Sequence, residues 1–134
     1  MQKPKSDAEC RTLTEAYNRL RVSVTNLRRM WSGQSSDGNV VITLWSNLFA
    51  DEGRRVYDVL NRPTGNWVNR PENRRRIEHL KYAQAKRGGI FDSIIVTQAD
   101  NSYTKIIRRE IGPRMRLVSL DEAGRFRAER VGGG

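Results

Sequence analysis

The single histidine of the chain, His79, follows Glu78 and stands close to Arg75 and Arg76. An imidazole in that company could move a proton in RNA cleavage while guanidinium groups hold the charge of a pentavalent phosphorus. His79 also reads as a polar residue flanking an apolar helix face, with no chemistry attached. It is the sole catalytic candidate. Asp58 and Asp92 fall in two predicted strands and are the carboxylates that a metal-dependent nuclease would need to cluster. The acid-x-lysine strand that would complete such a site is missing, so no metal site is expected. There is no glycine-rich phosphate loop and no G-x-S-x-G elbow. One cysteine, Cys10, and one histidine cannot form a Cys/His zinc site, and no cofactor is implied.

The residues around His79 belong to a helix with a legible start and stop. Asn69 is positioned as N-cap, Glu72 completes a capping box, and Pro71 suits the first turn. Ile77, Leu80 and Ala83 recur at three-to-four spacing, and Gly88-Gly89 supplies a left-handed end. Arg70, Arg74, Arg75, Arg76, Lys81, Lys86 and Arg87 stand against only Glu72 and Glu78. Arg70, Arg74 and Lys81 share one side and form a stripe. Such a stripe is either a solvated helix back or a phosphate-binding face. Trp67, just ahead of the helix, is either a stacking platform for a base or an apolar staple fixing the entry of the chain.

Composition points the same way. The chain has 134 residues, a net charge of +10 and 37% apolar residues, enough for one domain with a modest core and no disulfide framework. Of its 25 basic residues, 20 are arginine and 5 lysine. Arginine's planar fork suits phosphate and guanine edges, although a GC-rich genome produces the same bias. One cysteine fits a reducing cytoplasm, and no apolar run has the length of a membrane span.

The remaining elements must position this helix. Residues 1–5 form a polar lead. Ser6 and Glu9 repeat the capping-box pattern before a helix expected from Asp7 to Trp31, whose Leu13, Tyr17, Leu20, Val24, Leu27 and Trp31 step by alternating fours and threes. That seam could lie along a sheet, along another helix, or against its own copy in a homodimer. Ser32–Asn39 reads as a flexible connector. Val40–Trp45, Arg55–Leu60 and Ile90–Thr97 read as strands, the last of them central. Tyr103–Ile111 fits a short helix better than a strand. Met115–Leu120 and Arg125–Val131 form a hairpin around Asp121–Gly124. In it Met115, Leu117 and Ser119 face one way, while Arg114, Arg116, Val118 and Leu120 face the other. Arg125 and Arg127 alternate with Phe126 and Ala128 and add to a basic face. Residues 132–134 form a glycine tail.

The expected architecture is α+β. A mixed, curled sheet of about five strands over residues 40–131 packs on the one basic helix, and an N-terminal amphipathic helix is added to it. In layout alone it resembles the half-barrels of the PUA and EVE architectures. Three functions compete for such a chain. In the first it binds nucleic acid, DNA or RNA, through Arg70, Arg74, Arg75 and Lys81 of the helix and Arg114, Arg116, Arg125 and Arg127 of the hairpin, with an unstacked base on Trp67, Trp45 or Tyr57. In the second it docks on an acidic protein, as an inhibitor carried by a phage or plasmid would, with Leu13, Tyr17, Leu20, Val24 and Leu27 as the interface. In the third it is a small metal-independent ribonuclease, of the kind found as basic toxins, using His79 or an arginine/carboxylate set.

Overall fold

The computed structural model of the chain describes residues 9–24, 31–51, 53–60, 63–99 and 106–131. Its centre is a strand that is apolar on both faces. IFDSIIVTQ, Ile90–Gln98, buries Phe91, Ser93, Ile94, Ile95 and Val96, as a β-branched run in the middle of a sheet should. Numbered along the chain, the described strands are β1 Glu9–Cys10, β2 Ser32–Gln34, β3 Val40–Trp45, β4 Val56–Asp58, β5 Ile90–Gln98, β6 Ile106–Ile111, β7 Met115–Leu120 and β8 Phe126–Arg130. The helices are α1 Leu13–Arg19 and α2 Pro71–Lys86.

Strand β3 lies parallel to one edge of β5, and β2 returns antiparallel outside it. The other edge of β5 is shared. Ile94–Gln98 pairs with β6, whereas Ile90 and Phe91 pair with β7. The chain bends between them at Gly112-Pro113. A Cβ on Gly112 would lie 2.4 Å from Ser93 Oγ and under 3 Å from two carbons of Ile95, so only glycine lets the arm cross this closely. The Gly112 N–H donates to the Ser93 carbonyl at 2.9 Å, and the Ser93 hydroxyl donates to Pro113 O at 2.6 Å. Past the bend, β7, β8 and β4 curl the sheet into a half-barrel. Tyr57 of β4 reaches back toward β3, where its hydroxyl accepts from Trp45 N–H. The fold is therefore a mixed α+β half-barrel with two helices, as its composition and pattern suggested.

Two cores result. On the concave side Leu80 and Ala83 of α2 meet Val40, Ile42, Leu44, Tyr57, Phe91, Met115, Leu117 and Phe126. On the opposite side Ala16 and Tyr17 of α1 meet Cys10, Val22, Val41, Ile94 and Val96.

Several expectations are corrected. Among the described residues, the helix expected over Asp7–Trp31 is the short helix α1 preceded by a strand. Glu9 and Cys10 pair with β6, and the N-cap is Thr12, whose Oγ1 accepts from Glu15 N–H at 3.0 Å. The helix ends in a Schellman motif, Val22 N–H to Tyr17 O and Arg21 N–H to Asn18 O, with Arg21 left-handed at φ 64°. Tyr17 and Val22 pack together in the same core, as that motif favours. The expected cap Ser6, the seam residue Leu27 and the two chain ends lie outside the described residues.

Residues 32–39 are not a loose connector. β2 and β3 form a hairpin whose turn is closed by Gly38 N–H to Ser35 O, so the turn-forming residues sit where the turn is. The helix expected over Tyr103–Ile111 is strand β6 where it is described. Its backbone completes the free edge of β5, and that pairing outweighs a weak helical pattern. Helix α2 starts at Pro71 rather than at an Asn69 cap, because Asn66–Asn69 form a 3-10 turn and Arg70 is the capping residue. In the β7–β8 hairpin, a register shift at Val118 turns Ser119 opposite Arg127 and brings Leu120 inward against Phe126. Ser119 and Leu120 thus exchange the faces assigned by simple alternation.

Replacing Gly112 by alanine forces a methyl group into Ser93 and Ile95. We expect urea denaturation to show a loss of roughly 1–3 kcal/mol, the cost of overpacking. An unchanged midpoint would mean that the bend does not depend on this close approach.

Candidate nucleic-acid interface

Helix α2 is seated by polar clamps at both ends. Near its start, the Asn73 side-chain amide donates to Val68 O at 3.0 Å and to Ala123 O at 2.8 Å. At its end the Arg87 guanidinium donates to Asp37 O at 2.6 Å and to Gly38 O at 3.2 Å, tying the helix to the β2–β3 turn. Gly88 and Gly89 end the helix with φ of 63° and 83°, and Gly89 N–H returns to Ala83 O. With Leu80 and Ala83 facing the sheet, a turn of 100° per residue divides the exposed surface into two flanks. Arg70, Arg74 and Lys81 occupy one. Arg75, His79, Tyr82 and Lys86 occupy the other.

Arg70, Arg74, Arg75, Lys81 and Lys86 are exposed, and none forms an ion pair among the described residues. Arg74 only reaches the Asn69 carbonyl at 3.3 Å. Arg76 belongs to the interior instead. It donates to Asn73 Oδ1 and lies over the rings of Trp31 and Phe126 at 5.0 and 5.5 Å.

The hairpin arginines have a different status. Arg114 pairs with Asp92 at 3.2 Å, Arg125 with Asp121 at 2.6 Å, and Arg127 with Asp58 at 2.8 Å. Arg116 stands across the ladder from Glu129 but is exposed and forms no ion pair among the described residues, Glu129 meeting Arg127 at 3.8 Å. Met115, Leu117, Phe126 and Ala128 face α2, so Arg116 and Arg127, which alternate with them, lie on the other face of the sheet. Arg116 and Arg127 thus lie on the sheet face turned away from the helix that carries Arg74 and Lys81. The ion pairs also account for Asp58 and Asp92, whose carboxylates sit in separate pairs rather than in one cluster.

Among the aromatic candidates, Tyr57 is buried against Phe49 and Phe126. Trp45 packs beside the α1 core. Trp67 is half-buried just before α2, with its indole N–H on Pro63 O at 3.1 Å. The N-terminal seam is turned onto the sheet. Tyr17 is fully buried with its hydroxyl 2.6 Å from Thr43 Oγ1, and Leu13, Leu20 and Val24 pack around it. Burial, partly opposed by that hydrogen bond, pushes the Tyr17 pKa up to about 12. A partner could not reach Tyr17 without displacing α1 from the sheet.

One feature has no counterpart in any sequence motif. Residues 21–23, residues 32–36, Arg75 and His79 line an open surface cavity of about 310 Å³. Ser32, itself buried, lies 2.6 Å from His79 Nδ1 and fixes the ring. Burial, together with the nearby Arg75 charge, lowers the His79 pKa below its ordinary value, and Glu78 offsets this only in part. The ring is therefore neutral at pH 7. The walls come from positions far apart in the chain, which is why spacing alone could not find them.

Because the folded state disfavours the imidazolium, the unfolded chain binds the His79 proton more readily. Stability should then rise with pH up to about 6.5, the ordinary histidine value. We expect the imidazole Hε1 resonance to titrate below that value, and the urea midpoint to lose this acid-side rise in His79→Gln. A titration at or above the ordinary value would contradict the buried geometry.

No helix among the described residues is long and apolar enough to cross a membrane. Comparison with protein-family models, with curated proteins and with solved structures finds no match for this chain.

Proposed function

We propose that the chain binds nucleic acid, with the Arg70–Arg74–Lys81 flank of α2 lying along the phosphates of one strand. The observation that carries this reading is the contrast in charge compensation. Hairpin arginines Arg114, Arg125 and Arg127 are neutralised by carboxylates of the same molecule, whereas Arg70, Arg74 and Lys81 form no ion pair among the described residues. Uncompensated like charges held along a rigid helix repel one another, and a polyanion relieves that cost while releasing its counterions. The flank spans about 16 Å of helix axis, the length of roughly five nucleotides of a B-DNA strand. Trp67, at the start of this flank, offers a stacking face for an unpaired base. The likeness in layout to PUA and EVE half-barrels belongs to the same reading and rests on a helix seated in the concave side of a curled sheet.

The test is a titration of labelled single- and double-stranded oligonucleotides at several salt concentrations. Arg74→Glu/Lys81→Glu should weaken binding and lower the salt slope by about 2, close to 0.9 per lost contact. Arg127→Gln, which breaks an internal ion pair, should leave the slope unchanged. Binding that ignores the double charge reversal would exclude this flank. Capture of one acidic protein that persists after nuclease treatment would favour a protein partner instead.

A further inference from the structure

We infer that the cavity between Arg75 and His79 of α2, the β2 hairpin and Arg21 is a phosphomonoester site, taking the phosphate of a nucleotide or of a nucleic-acid strand end. The cavity opens on the other flank of α2 from Arg70, Arg74 and Lys81, so it is separate from the backbone-binding face and does not depend on it.

Among the described residues its lining carries donors, and the nearest ion-paired carboxylate is Asp37 on Arg21. Arg75 presents an exposed guanidinium with no ion pair among the described residues, Ser23 and Ser36 present exposed hydroxyls, and Arg21 stands at the mouth. A phosphomonoester carries a charge of about −1.5 to −2 at pH 7 and three terminal oxygens. Two guanidinium groups and several hydroxyls match that demand, whereas a carboxylate uses a single fork. Where Ser32 donates to Nδ1, the neutral His79 ring holds its proton on Nε2 and becomes a further donor. The volume of about 310 Å³ is at the small end of ligand pockets, which run from about 300 to 1,000 Å³.

The site is also tied together before any ligand arrives. Ser36 N–H donates to the Arg21 carbonyl at 3.1 Å, and Arg21 Nη1 meets Asp37 Oδ2 at 2.8 Å, joining the end of α1 to the hairpin turn. Both partners of that ion pair are largely exposed, where such pairs contribute little. An incoming phosphate can therefore share or displace Asp37. Arg21 holds the left-handed backbone of the motif that ends α1.

Amide resonances would be followed while adding inorganic phosphate, adenosine 5′-monophosphate, adenosine, and a tetranucleotide with or without its 5′-phosphate. We expect saturable shifts at residues 32–36 and at Arg75 with each phosphorylated probe and none with adenosine. Arg75→Gln should weaken them about tenfold, the loss of one charge-assisted contact. Equal affinity for the monophosphate and the 5′-phosphorylated tetranucleotide identifies the nucleotide as ligand, and tighter binding of the tetranucleotide identifies the strand end. Arg74→Glu/Lys81→Glu should leave these shifts in place while weakening long oligonucleotides, which separates this site from the helix flank. Absence of saturable shifts, shifts confined to Arg70, Arg74 and Lys81, or insensitivity to Arg75→Gln would each overturn the assignment.

Discussion

The structure depends on how closely two backbones can approach at Gly112 and Ser93. There the arm that pairs with the far half of β5 as β6 is bent so that it leaves β5 as β7. One strand thereby serves two curvatures. A fairly open sheet on the β6 side carries α1, and a curled sheet on the β7 side encloses α2. A bulkier residue at this position would straighten the arm or open the ladder. In either case β8 and β4 would lose the surface on which they close.

Seating α2 in the concavity decides which charges remain available. Leu80 and Ala83 commit one face to the core, and Asn73 and Arg87 fasten the two ends through backbone carbonyls of distant loops. The helix cannot roll to hide its cations, so Arg70, Arg74 and Lys81 on one side and Arg75 and Lys86 on the other stay in solvent. Arg114 and Arg127 pair with Asp92 and Asp58 of neighbouring strands, and Arg54 and Arg108 converge on the buried Glu110. A buried carboxylate left without these partners would be strongly destabilising, so their role is structural. The same residue type thus serves two ends. Sequence counts merge them, and burial and pairing separate them.

Much of the framework was legible. The apolar runs of β3 and β5, the periodicity of α2 with its glycine stop, and the alternation of Met115, Leu117, Phe126 and Ala128 were strong local signals, and they correspond to the observed elements. Errors fell where a distant partner outweighed a local pattern. Leu13, Tyr17 and Leu20 follow a helical spacing, but the seam continues through Val22 and Val24, which reach the same core from a non-helical chain. The stop between them is an arginine in a left-handed conformation, a role for which glycine is the usual signal. A capping pair, Thr12 and Glu15, was present in the sequence and marks the true start. Strand β6 and the Val118 register shift are set by the ladder they join. The cavity beside His79 needed the fold itself, since Arg21, Ser32 and Arg75 share no recognisable spacing.

The pairing of β1 with β6 bears on the order in which the molecule assembles. Glu9 lies opposite Glu110, so roughly a hundred residues must emerge and collapse before this ladder can close. A helix as short as α1 has little stability alone, and its core partners include Ile106 and Ile111 of the late strand β6. The N-terminal arm can thus dock only once β6 is in place. Arg21–Ser23, at the end of that arm, form one wall of the cavity, while α2 is anchored independently by the concave core. Release of the arm would dismantle the cavity and leave the cationic flank of α2 standing, so the two surfaces have different lifetimes within one domain.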